Sequence, residues 1–122
     1  MAYDPNNAFA RILRGELPCR KVHEDEWALA FHDINPLAPV HVLVIPKGPY
    51  VSMADFGAGA SAEELAGFFR AVARTAEILG VVEGGYRILA NTGAAANQEV
   101  PHLHVHLFAG APLGPMLRKV VA

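Results

Sequence analysis

The chain has 122 residues, 52% of them hydrophobic, and 10 basic against 12 acidic side chains give a formal net charge of −2 at pH 7. That length and apolar content suit one domain over residues 1–122, and charges scattered without a basic block argue against nucleic acid as a bulk partner. The lone cysteine, Cys19, cannot close an internal disulfide. No apolar run nears the roughly 20 residues that span a bilayer, and Met1–Asn7 lacks a secretory pattern, so a soluble cytoplasmic protein away from membranes is expected.

Asp4 followed by Pro5 reads as a helix start, and Phe9, Ile12 and Leu13 make an apolar stripe that Gly15 ends, so a short N-terminal helix is predicted. Lys21–Glu24 and Trp27–His32 are extended runs around an acidic turn and predict a hairpin. The proline-bearing link Ile34–Pro39 is a loop, and Val40–Ile45 is a β-branched, largely buried strand whose one polar residue is His41.

Ser61 and Glu64 form a capping-box pattern. Leu65, Phe69, Val72, Ala76 and Leu79 then recur at helical spacing until Gly80, predicting one long helix. Tyr86–Ala90 and His102–Phe108 read as strands joined by the Gly- and Ala-rich loop Asn91–Val100. Five strands, mostly consecutive, with two helices predict an α+β domain: a five-stranded antiparallel sheet with helices packed on one face.

Half of the six histidines fall within His102-Leu103-His104-Val105-His106-Leu107, in strict alternation. Strand side chains alternate between faces, so the three imidazoles share one face while Leu103, Val105 and Leu107 take the core side. An isolated strand histidine such as His23 is ordinarily a surface or satisfied core residue. A metal site is a second reading, but at about 3.3 Å per residue His102 and His106 stand roughly 13 Å apart, so only two neighbours plus His41 could share an ion. The third reading is nucleophilic catalysis by a neutral imidazole, for which His104 is the natural choice because it has a histidine on each side. The preceding loop supplies Asn91, Gly93, Asn97 and Gln98, whose amides and exposed N–H groups suit a phosphate.

The His-x-His-x-His run resembles the histidine-triad superfamily, and the match extends over nearly the whole chain, closest to its Hint branch. Phe9–Pro18, Ala30–Ile34, Ala38–Lys47 and Gln98–His106 look like that branch's signatures, and Pro112–Leu117 is similar to the C-terminal segment of its bacterial members. The resemblance implies hydrolysis of purine nucleoside phosphoramidates, typically adenosine 5′-monophosphoramidate, through a covalent nucleotidyl-histidine and without a metal or other cofactor. By position it makes His104 the nucleophile, with His41, His102 and His106 organising it and the leaving group.

Asn91 and Gln98 would lie near the α-phosphate with Glu99 beside them, and Asp33 would hold the ribose hydroxyls, as a carboxylate placed away from the phosphate can. Phe9, Ile12, Phe31 and Ile34, with His32 in the same segment, would make an apolar cleft for the base. The resemblance further implies a homodimer, in which the long helix and the edge strand Tyr86–Ala90 pair two copies into one ten-stranded sheet. A dinucleoside polyphosphate hydrolase of the same superfamily and a non-catalytic nucleotide-binding or scaffold protein are the alternatives.

The chain departs from the family pattern at Asn97, where glycine is usual, at Glu99, where some members have a small hydroxyl, and at Ala111, where arginine is frequent. These departures bear on leaving-group preference; should Asn97 need a left-handed backbone, asparagine tolerates it best among non-glycine residues, so the loop is expected to survive, with substrate tuning and not loss of activity.

Overall fold

The computed structural model describes residues 2–122. Five strands, β1 (Lys21–Glu24), β2 (Ala28–His32), β3 (Val40–Pro46), β4 (Arg87–Leu89) and β5 (Val105–Ala109), form one sheet in the order β1-β2-β3-β5-β4. All four pairings are antiparallel. Three helices accompany them: α1 (Ala8–Leu13), α2 (Met53–Gly59) and α3 (Ala62–Leu79). The architecture is therefore the expected α+β, and no helix among the described residues is long and apolar enough to cross a membrane.

The helices do not share one face. Ala28, Ala30, Val42, Val44, Leu103 and Val105 pack against Phe56 of α2 and Phe68, Ala71 and Val72 of α3. The alternate residues Leu29, Phe31, Leu43 and Ile45 pack against Phe9, Ile12 and Leu13 of α1 on the other side. Strand β3 is central and covered on both faces, which is why it reads as a continuous apolar run. Phe56 and Phe68 are fully buried, each worth about 1.5–3 kcal/mol of apolar transfer.

The long helix begins and ends as its sequence predicts. Ser61 Oγ accepts from the Glu64 amide and Glu64 Oε1 accepts from the Ser61 amide, both at 3.1 Å. Gly80 closes the helix in the left-handed region at φ 70°.

Four local expectations are corrected. The cap of α1 is Asn7, whose side chain accepts from the Ala10 amide at 2.9 Å, whereas Asp4 accepts from the Asn6 amide in the turn before the helix. Helix α2 was not expected: its two glycines weaken the helical signal, and Ser52 with Asp55 builds a capping box that starts it regardless. Strand β4 is trimmed to Arg87–Leu89, and β5 starts at Val105, so His102 and His104 precede the ladder.

Candidate active site

Alternation along β3 and β5 sends His41 and His106 to the α1 face of the sheet, while Val42, Leu107 and Val105 point to the other. The two segments join in register, with Leu43 opposite His106 and His41 opposite Phe108. His104, although outside the strand, keeps to the same face: its ring lies edge-on 5.0 Å from that of Phe9 in α1 and 5.0 Å from that of His106.

Each of the four imidazoles is held by a partner that fixes where its proton sits, and the assignments follow from the hydrogen-bond network. His41 Nδ1 accepts from the Leu37 amide at 3.1 Å, so its proton is on Nε2, which donates to His106 Nδ1 at 3.0 Å with Asp33 Oδ2 at 3.4 Å. His106 therefore carries its own proton on Nε2, in a ring that lines the cleft. His104 Nδ1 donates to the His102 carbonyl oxygen at 2.8 Å, which leaves Nε2 with an unshared pair. His102 Nε2 donates to the Pro46 carbonyl at 2.9 Å and Nδ1 accepts from the Tyr3 hydroxyl at 2.6 Å.

His102 is 0% exposed and both its ring nitrogens are engaged within the protein. It is a peg that ties the chain entering β5 to the end of β3 and to the N-terminal segment. No pattern in the sequence pointed to Tyr3, to the Leu37 amide or to the Pro46 carbonyl. All three act through a contact between distant parts of the chain or through backbone atoms.

Burial holds all four imidazoles below the ordinary histidine range. For His41 the Asp33 carboxylate partly opposes it, and for His102 the Pro46 carbonyl does. For His104 the His102 carbonyl, Asp33 and Glu99 oppose the burial. His106 is pushed down to about 4 by burial together with His104 and His41. The cluster is neutral at pH 7.

His104 and His106 open onto a cleft of about 380 Å³ that Asp33, His41, Asn91, Asn97 and Glu99 also line. Asn97 adopts φ 56°, ψ 49°, a left-handed conformation that asparagine tolerates. Gln98 lies outside this cleft: its amide nitrogen donates to the Val51 and Val100 carbonyls, and its oxygen accepts from the Gly93 amide, so it braces the loop. Phe9 and Phe31 meet edge-on at 5.5 Å and are buried, with Ile12 packed against them. Ile34 is 90% exposed and, with His32, Cys19 and Pro36, borders a second hollow that shares Asp33 with the cleft.

Asp33, His41 and His106 bring three potential ligand atoms within 4.8 Å of one another. The donor set does not fit a metal. The Leu37 amide keeps the proton on His41 Nε2, where coordination needs a lone pair, and inverting that tautomer would set two N–H groups against each other.

Residues 14–113 match the HIT domain family model. The chain is 68% identical over 117 residues to an uncharacterized 13.2 kDa HIT-like protein of Azospirillum brasilense, covering 96% of each. It is 41% identical over 109 residues to a purine nucleoside phosphoramidase of Escherichia coli K12, covering 89% of this chain and 91% of that one. Among solved structures, a HIT family hydrolase from Clostridium thermocellum superposes with a TM-score of 0.84 at 42% identity, covering 93% of this chain and 97% of the other. A histidine triad protein from Clostridium difficile superposes with a TM-score of 0.83 at 36% identity, covering 93% and 98%.

Proposed function

The chain belongs to the HIT family, and from that premise we propose that it hydrolyses purine nucleoside 5′-phosphoramidates through a nucleotidyl intermediate on His104. The observation that carries the reading is the bond from His104 Nδ1–H to the His102 carbonyl, which aims a neutral, unshared Nε2 pair from a ring lining the cleft. A neutral imidazole attacking phosphorus needs that tautomer.

In the first half-reaction Nε2 forms a bond to phosphorus as the P–N bond breaks, and the nitrogen leaves as an amine with a proton brought by the substrate or solvent. The neutral His41–His106 pair cannot supply it without forming an imidazolate. His106 Nε2–H is a hydrogen-bond donor for a phosphoryl oxygen, alongside the Asn91 and Asn97 amides. Water then attacks the same phosphorus and the bond to His104 breaks. The sum is water added across P–N, hydroxyl to phosphorus and hydrogen to nitrogen.

Asp33 borders both the histidine cleft and the hollow of His32 and Ile34; in this reading its carboxylate accepts from the ribose hydroxyls, with the base beyond it. The pairing of two copies is part of the same proposal: Ile88 and Leu89 on edge strand β4 and Phe69 and Ile78 on α3 are exposed apolar side chains that a second copy would cover.

The test is turnover of adenosine 5′-monophosphoramidate by purified protein, with and without EDTA, followed by trapping of an acid-labile nucleotidyl adduct on His104. Chelator-resistant turnover with a trapped adduct is expected. AMP binding without turnover would favour a binding or scaffold role instead.

A further inference from the structure

Resting on the phosphoramidase reading, we infer that Glu99 guards a leaving-group subsite that selects amines bearing a second, cationic group a few bonds from the scissile nitrogen. The geometry is a row of three hollows separated by two carboxylates. Asp33 is shared by the histidine cleft and the hollow of Cys19, His32 and Ile34. Glu99 is shared by the histidine cleft and a third hollow, of about 480 Å³, bordered by Val51, Ala54, Thr92 and Pro101. With the nucleoside occupying the Asp33 side, the group departing from phosphorus has only the Glu99 side to extend into.

The charge of that exit is carried by one free group. The third hollow also holds Asp55, but both its oxygens are committed to the Val51 and Ser52 amides. The Gln98 side chain there is committed to Val51, Val100 and Gly93. Glu99 makes no hydrogen bond or ion pair with any described residue, and it is exposed.

No lysine or arginine lines the cleft. An anionic phosphoryl group next to an unpaired carboxylate is repelled, and a cationic leaving group bridges the two charges and removes the repulsion. An anionic leaving group, such as a second nucleotide, meets the same carboxylate with the opposite sign, so the exit disfavours dinucleoside polyphosphates.

The experiment compares two adenosine 5′-phosphoramidates whose leaving amines have the same chain length and end in an ammonium or in a hydroxyl. The quantity read is the ratio of their kcat/KM values, so that any general effect of a substitution cancels. An exposed ion pair predicts a ratio of about fivefold in favour of the ammonium, shrinking as salt rises. The ratio should fall to about one in Glu99→Gln and drop below one in Glu99→Lys. A wild-type ratio near one, or a ratio unmoved in Glu99→Gln, overturns the inference while leaving the phosphoramidase reading standing. If the wild-type protein turns over neither compound, the phosphoramidase reading fails and takes this inference with it.

Discussion

His104 Nδ1 donates to the carbonyl oxygen of His102, two residues earlier, at 2.8 Å. The bond makes a backbone atom the group that orients the His104 ring and, under the proposed mechanism, links the His102 peg to the reaction geometry.

Replacing the proposed nucleophile is the direct check. His104→Ala should lower turnover by at least about a thousandfold. Because His104 is only 6% exposed, this variant also leaves a cavity, and a drop of a few degrees in thermal midpoint is expected. AMP affinity by calorimetry should stay within severalfold of wild type; turnover at the wild-type rate would sink the mechanism.

Tyr3 offers a finer probe. Tyr3→Phe keeps the edge-on ring contact with His102, at 5.6 Å between centroids, but leaves a buried Nδ1 without a partner. The expected penalty is about 1–3 kcal/mol of stability. If the peg also aims His104, kcat should fall several-fold with little change in KM, and a loss confined to stability would restrict Tyr3 to a structural role.

The pH dependence has a definite sign. Burial depresses the pKa values of His104 and His106 in the folded chain, so the unfolded chain binds more protons between the folded values and about 6.5. Their stabilisation is present in full above about pH 6.5 and is lost as pH falls toward about 4, the value for His106. The kcat/KM profile of the free enzyme should stay flat from pH 8 through 6.5 and decline only on the acid side, as His104 gains a proton. An acid limb centred above 6.5 would contradict the assigned environment.

Asp33 should discriminate sugars. Asp33→Ala should reduce kcat/KM for ribonucleoside phosphoramidates far more than for their 2′,3′-dideoxy analogues, since only the former lose hydroxyl contacts. The variant also forfeits the Asn35 amide bond to Oδ1 at 2.8 Å, an effect common to both substrates that cancels in the ratio. Equal losses would remove Asp33 from the ribose site.

On the opposite face of the sheet, Gly67 in α3 sits directly beneath the Trp27 indole, and a Cβ there would overlap the ring. Gly67→Ala should destabilise the fold by about 1–3 kcal/mol despite the better helix propensity of alanine, measurable as a lower thermal midpoint with kcat unchanged.

Elements whose signals are local were legible in the sequence. The capping box and terminal glycine of α3, the hairpin of β1 and β2, and the polar exception His41 in β3 all follow from residues a few positions apart. The alternation of the triad placed Leu103, Val105 and Leu107 on the core side, and they are there, even though the ladder starts only at Val105. Several features were not legible. The side of the sheet taken by α1 depends on which set of β2 and β3 side chains Phe9 meets. The contact between Tyr3 and His102 spans 99 positions. Gln98, an apparent phosphate ligand by its place in the loop, spends its amide on bracing that loop.

Strand β3 offers Val42 and Val44 to α2 and α3 and Leu43 and Ile45 to α1, with His41 on the α1 face beside His106. For anyone seeking to engineer the protein, this partition means that two combinatorial libraries can be built and screened separately. Variation confined to the α3 side can be selected on heat tolerance alone, and variation around Asn97 and Glu99 on substrate choice alone. The best members of each should combine additively as long as α2 is left unchanged, because Ala54 and Asp55 of that helix border the hollow of Glu99.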